Sequence, residues 1–485
     1  MSISSNRRQF LLALGAWGTV QTLQGCGTTP PVSLSPTPPL PVQPAWDAIQ
    51  QPEVTQARLG YLPTAAAAPI IVAQHLKFFA RYGMNEVQLL PFASWVDWIT
   101  AVVAGRDDKL ADVDGAIEGG HSFSPLPELL TEGLLAINGT KKLPDLEIAI
   151  DNTNPDVSRQ GKLPMYVLAR LHTHGGAIVM HPRYRPLMNM GQQRPWRPTF
   201  QLSRFLGNVL RCGVVSALSP EMLWLRYWLA SGNLNPLQDV RLETTSFQSL
   251  AKIFTEQQPD LISVPPLFLG LANNYGSVQM TSANLWPSHP GDLFTLRADW
   301  VDRYPNATQG LLYGILAAQN WCDAPQNSRQ LHKILQMYLP TYRQENLKNS
   351  DPKPSSEPRS SASNQSNSQP NNQSNNKIDI NKTAINAGGI KYWSHEGKTV
   401  SYPYKSHDLW FLLEHSRWSH LPQDLEYKPI IDMVNREDLW RSAARNLGIP
   451  DTLMPSGISR GKEQFFDGMV FDPEQPKSYQ GQESR

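Results

Sequence analysis

The stretch "ARLGYLPTAAAAPIIVAQHLKFFARYGMNEVQLLPF", residues 57–92, decides the fold. Residues 57–63, "ARLGYLP", read as a strand. Residues 68–83, "APIIVAQHLKFFARYG", read as an amphipathic helix closed by Gly83, and residues 85–92, "NEVQLLPF", as a second strand. Strand, helix and strand in succession make a β-α-β unit, which implies a parallel sheet. Ligands of such sheets sit beyond the carboxyl ends of the strands, so the loop after the first strand is where a ligand is met.

The alternation continues outward. Residues 163–181, "LPMYVLARLHTHGGAIVMH", read as strand, turn and strand. Residues 260–276, "DLISVPPLFLGLANNYG", read as a strand leading into a loop and helix, and residues 299–323 as a long helical pattern interrupted by Pro305. A chain of 485 residues exceeds one ordinary core, so an α/β protein of two lobes is expected. Residues 351–377, "DPKPSSEPRSSASNQSNSQPNNQSNNK", break the pattern. Nearly devoid of apolar residues, this stretch cannot bury enough surface to offset the entropy of ordering. It reads as a disordered insertion, extended here to residues 351–385, with a prion-like interaction segment as the functional alternative.

Charge and cysteines exclude several classes. Lys and Arg total 43 against 42 acidic residues, a net charge of +1, which leaves no electrostatic footprint for nucleic acid. Three cysteines far apart make no disulfide framework. Cys212 and Cys322 read as free buried thiols, with a Cys212–Cys322 pair as the alternative.

The amino-terminal residues are an address. Arg7 and Arg8 precede the apolar residues 10–18, a secretory signal too short to span a bilayer, and the twin arginines hint at export in the folded state. "LQGC", residues 23–26, resembles a bacterial lipobox, after which Cys26 becomes the lipidated first residue; an ordinary cleaved signal with an incidental cysteine is the other reading. The Pro/Thr/Ser-rich residues that follow make residues 27–53 a flexible tether.

"SPEMLWLRYW", residues 219–228, raises a chemical question. Ser219 as N-cap and Pro220 at the first helical position mark a helix start, whose free N–H groups and positive dipole end suit an anion. Glu221 already stands in that first turn, so either an anion or the chain's own carboxylate holds the place.

Several blocks are familiar. "LGYLPTAAAAPIIVAQHLKFFARYGM" (59–84), "ASWVDW" (93–98), "LRYWLASGNLNP" (225–236), "LRADWVDRYPNATQGLLYGILAAQNWCD" (296–323), "SYPYKSHDLWFLLEHSRW" (401–418), "VNREDLWRSAARNLGIP" (434–450) and "SRGKEQFFDGMVFDPEQP" (459–476) resemble the solute-binding lipoproteins of cyanobacterial nitrate/nitrite and bicarbonate ABC importers. The resemblance covers residues 57–471 apart from the insertion. It implies a two-lobed periplasmic-binding-protein fold, type II-like, with a hinge and a small anionic solute in the central cleft. It also implies a monomer tethered to the membrane on the periplasmic face through Cys26, serving ABC permease and ATPase subunits. The expected division is lobe I at 54–155, lobe II at 156–295, lobe I again at 296–350 and 386–475, and a tail at 476–485.

Within the resemblance, Trp95 matches a tryptophan that lines the ligand site, and His121 in "GGHSFSPLPELL" a cleft-facing position. Three positions depart from it. Gly176 stands where nitrate binders carry a glutamine. Residues 219–224 replace Gly-Thr-His-Asp-Leu-Trp, so that Glu221 takes the place of a histidine and Pro220 that of a threonine. Pro265-Pro266-Leu267-Phe268 replaces Gly-Glu-Pro-Trp, and no Lys or Arg follows until Arg297. Loss of an amide, an imidazole and an ammonium forfeits charge-assisted bonds of about 1.5–3 kcal/mol each, so a nitrate site of the family type is not expected.

Glu221 either caps the helix dipole or joins Trp95 and His121 at the ligand, helping to hold a calcium ion, because bicarbonate-binding relatives are associated with calcium. No other cofactor is expected. His172 and His174, at strand spacing, are compatible with a metal or with structural roles. No nucleophile–base pair stands out, so an enzyme is not expected. The primary reading is a solute-binding component for a small oxyanion or related solute; the alternative is a regulatory or accessory paralogue that keeps the fold for protein contacts.

Overall fold

The computed structural model describes residues 49–105, 115–137, 148–150, 162–184, 209–244, 258–266, 276–339, 389–418, 421 and 425–482, all within the compact unit Pro41–Arg485. The signal, Cys26, nearly all of the tether and the insertion lie outside the described residues.

Strand β1 (Gln56–Tyr61) pairs in parallel with β2 (Glu86–Pro91), so residues 57–92 form the expected unit. The crossover is two helices rather than one, α1 (Ala68–His75) and α2 (Phe78–Arg81), because Lys77 adopts a left-handed φ of 59° between them. Along the chain follow β3 (Gly119–Ser122), the hairpin strands β4 (Leu135–Ile137) and β5 (Ile148–Ile150), β6 (Met165–Arg170), β7 (Ala177–Met180), β8 (Leu210–Val214) and β9 (Val240–Thr244). After these come β10 (Leu261–Val264), β11 (Ser277–Thr281) and β12 (Leu293–Arg297).

Two five-stranded sheets result, in the orders β2-β1-β3-β12-β6 and β11-β7-β10-β8-β9. Both are mixed rather than purely parallel: β12 runs antiparallel to β3 and β6, and β7 antiparallel to β10 and β11. On the first sheet, the helix Pro305–Asp323 packs Leu311, Leu312 and Ile315 against Ile70, Ile71 and Phe79, and Pro305 begins it where a missing N–H costs nothing. On the second, the helix Pro220–Ser231 buries Trp224 and Trp228, with Trp224 stacked on Trp410 at 4.3 Å. Cys212 and Cys322 are buried free thiols.

The chain passes from one sheet to the other at residues 171–176 and 282–292, and these two crossovers lace together. Leu171 N donates to Asp292 O (2.7 Å), Gly291 N to His172 O (2.9 Å) and His174 N to His289 O (3.3 Å). The expected lobe boundaries at 156 and 295 are therefore corrected. The run that reads as strand, turn and strand is no hairpin: β6 bonds to β12 in the first sheet, β7 lies in the second, and the apparent turn is the crossover. The carboxyl-terminal part is not all lobe I either, since Trp410, Phe465 and Tyr479 belong to the core of the second sheet, whereas Trp440 and Ala443 belong to that of the first.

Close approach of β1 and β3 depends on glycine. A Cβ on Gly120, whose φ is +132°, would lie 2.3 Å from the backbone oxygen of Gly60. Gly120→Ala is expected to destabilise the protein by about 2–4 kcal/mol through backbone strain and overpacking; a denaturation curve superimposing on that of the unaltered protein would contradict this.

Candidate functional site

Between the laced crossovers and the second sheet lies a cavity of about 420 Å³, partly open to solvent. His172, Gly176, Glu221, Trp224, His289 and Asp292 are in its wall. Of the three residues singled out from the sequence, Glu221 alone lines it; Trp95 and His121 reach it through Asp292.

Trp95 opens helix α3 (Trp95–Ala104), whose N-cap Ser94 accepts a hydrogen bond from Asp97 N at 3.2 Å. Its ring stands edge-on to His121 (5.2 Å) and Phe123 (4.7 Å). His121, on β3, is fully buried, and both its nitrogens are engaged. Nδ1 accepts from Leu62 N (3.3 Å), which leaves Nε2–H to donate to Asp292 Oδ2 (2.7 Å). Burial by itself raises the Asp292 pKa, but the hydrogen bond from His121 offsets it and holds the carboxyl well below the usual range. Asp292 is thus a fixed negative charge at the junction of the sheets.

Glu221 responds to that charge. Desolvation first, then the Asp292 carboxylate, pushes its pKa up to about 7, although its own backbone N–H favours the ionised form. The chain's own carboxyl group thus occupies the helix start. Ser219 sits at the N-cap with extended backbone, yet it makes no side-chain cap; its hydroxyl donates to Ser216 O (3.0 Å). The folded protein keeps the Glu221 proton up to about pH 7, whereas an ordinary glutamate releases it near 4.5. Its contribution to stability therefore declines as pH rises across that interval.

The histidines divide into two kinds. His172 Nδ1–H donates to His174 O (3.1 Å) while Nε2 accepts from Asp292 N (3.0 Å), and His174 Nε2–H donates to Pro287 O (2.7 Å). Burial lowers the His174 pKa to about 4. Both rings are thus committed to backbone, and among the described residues no group of three His, Cys, Asp or Glu side chains is arranged to hold a metal. His289 differs: 7 % exposed and set against Trp224 at 4.9 Å, it has no hydrogen-bond partner at either nitrogen. Burial keeps its ring neutral, with a pKa well below the usual value, so it offers one donor and one acceptor to a guest.

Gly176 N donates to Ser282 Oγ (3.1 Å), and a Cβ there would lie 3.1 Å from Val264 O, so no side-chain amide stands at this position. Pro266 lines the cavity, while Leu267 and Phe268 lie outside the described residues. Arg297 turns to Asp299 (3.0 Å) and is not in the wall. Sequence reasoning missed Asp292 and His289, in "HPGD" (residues 289–292). The available signal was the turn itself: a Cβ on Gly291 would sit 2.4 Å from His172, so this turn must abut the other crossover.

A model of the NMT1-like family matches residues 50–336. The chain belongs to that family. It is 33 % identical over 485 residues to the nitrate/nitrite binding protein NrtA of Nostoc sp. PCC 7120, covering 98 % of this chain and 97 % of that one. It is also 33 % identical over 484 residues to the bicarbonate-binding protein CmpA of Synechococcus elongatus, covering 98 % and 96 %. The crystal structure of the periplasmic nitrate-binding protein NrtA from Synechocystis PCC 6803 superposes with a TM-score of 0.69 at 31 % identity, covering 89 % of this chain and 98 % of that one. In this NMT1-like chain the two-lobed α/β architecture is that of periplasmic solute-binding proteins.

His121→Ala leaves the Asp292 carboxylate without its closest donor and is expected to cost about 3 kcal/mol at pH 7. Because the folded pKa of Asp292 lies below the ordinary 3.8, this contribution is present above about pH 4 and disappears as pH falls below it. Denaturant titrations at pH 7 and pH 3 check both statements; an equal loss at the two values would contradict them.

Proposed function

We propose that this protein is the solute-binding component of an ABC importer of the nitrate/bicarbonate type. On this reading it is held at the periplasmic face of the membrane through a lipid on Cys26 and delivers its solute to a permease driven by an ATPase. Near-full-length similarity to nitrate/nitrite- and bicarbonate-binding proteins supports it. No helix among the described residues is long and apolar enough to cross a membrane, consistent with attachment by a tether. The role is capture and release, without bond chemistry.

Donor and acceptor balance sets the choice of solute. Nitrate is an acceptor only, and a site for it needs donors. This cavity instead sets the Glu221 carboxyl beside the fixed Asp292 carboxylate, with no side-chain amide at Gly176. Bicarbonate carries its own O–H and can donate to a carboxylate while its remaining oxygens accept from His289. The observation that carries the reading is the Glu221–Asp292 pair in the wall. A charge-assisted hydrogen bond is worth about 1.5–3 kcal/mol, which corresponds to a preference of roughly tenfold or more.

Calorimetric titration at pH 8 is expected to show bicarbonate binding at least tenfold tighter than nitrate. Glu221→Gln is expected to narrow that preference to under threefold. Nitrate binding as tightly as bicarbonate would overturn the choice of solute, and binding of neither would overturn the cleft reading itself.

A further inference from the structure

A second cavity, of about 300 Å³ and partly open to solvent, lies across the crossover strand from the first, and His172 and Pro290 form a wall common to both. Arg170, Lys398 and Arg460 contribute three cationic side chains to it, His172, His395 and His407 three imidazoles, and no Asp or Glu is among its described lining residues. The balancing carboxylates belong to other residues: Arg170 Nη2 is paired with Asp408 (2.6 Å), and Glu463 with Arg460 (3.1 Å) and His407 (3.3 Å). These pairs fix the cations in place without supplying an acceptor to the cavity wall.

Thr399, Arg170 and His407 each keep a buried side-chain group without a hydrogen-bond partner. Thr399, 2 % exposed, has a buried hydroxyl with no hydrogen-bond partner, and Arg170, 1 % exposed, has its Nε likewise unpartnered. An unsatisfied buried donor is costly, so native structures leave few of them without a ligand or solvent partner. These unsatisfied groups belong to residues lining a cavity rich in cations and without a carboxylate among its described lining residues, the reverse of the cleft with its two carboxylates. Such a wall suits a small oxyanion and repels a metal ion.

We infer that this cavity is a second oxyanion site, separate from the cleft, that takes a small tetrahedral or planar anion of the sulfate or phosphate kind. The crossover at Thr173, the Pro290 turn and the hairpin strand carrying Thr399 meet there, and the anion joins them by accepting from Thr399, Lys398 and Arg460. The inference rests on this wall alone and stands whether or not the cleft takes bicarbonate.

The probe is selenate, a sulfate analogue, titrated calorimetrically into the full chain and soaked into its crystals for anomalous scattering at the selenium edge. Saturable binding and an anomalous peak between Thr399 and Arg460 are expected. Thr399→Val removes only an unpartnered hydroxyl, and Lys398→Gln an exposed charge. Each is expected to weaken selenate at least fivefold while leaving the melting temperature without ligand, and the response to bicarbonate, unchanged. No selenate binding, a peak in the cleft alone, or affinities within twofold in both variants would each overturn the inference. Selenate binding at Thr399 with no bicarbonate response would refute only the cleft reading.

Discussion

One buried charge organises the centre of this molecule. Asp292 lies where the chain crosses from the second sheet back to the first, and its carboxylate is kept ionised there because His121 Nε2–H points at it from β3. An ionised carboxylate in such a place is tolerable only when paired and hydrogen-bonded. The pair therefore constrains its surroundings: β3 must approach β1 closely enough to need Gly120, and Leu62 N must hold the other side of the imidazole. Trp95, itself packed edge-on to Phe123, stands against the fully buried ring.

The same charge acts across the cavity on Glu221. A first-turn glutamate is ordinarily a stable anion at a helix start. Here burial and the neighbouring carboxylate bring it to the edge of neutrality near pH 7. The cleft thus presents a carboxyl group able to donate or to accept, next to one that only accepts. Behind the shared His172 wall the second cavity has the opposite character, with cations fixed by their own partners. Two adjoining compartments of opposite chemistry, meeting at the crossovers, are the outcome of where the carboxylates Asp292, Asp408 and Glu463 are placed.

Much of this was legible in the sequence, and what was not shares a cause. Residues 57–92 announced a β-α-β unit, Pro220 marked a helix start and Pro305 an interruption, which proved to be the start of a separate helix, because these signals are local. "LARLHTHGGAIVM" looked like two strands around a turn, since alternation and a Gly pair cannot say that the strands join different sheets. Glu221 was visible as a carboxylate at a helix start, but its proton was not, for it depends on Asp292. Asp292 was invisible in turn because its partner His121 is 171 residues away in the chain. Thr399 and Arg170 as unpartnered donors likewise exist only once three distant segments have met.

The most direct test of the account is the protonation of Glu221 itself. Infrared difference spectra of its carboxyl band, assigned by subtraction against Glu221→Gln, are recorded from pH 4 to pH 9 in the unaltered protein and in Asp292→Asn. A midpoint near 7 is expected, moving down toward the ordinary 4.5 when the Asp292 charge is removed. A midpoint already near 4.5, or one that ignores the substitution, would contradict it.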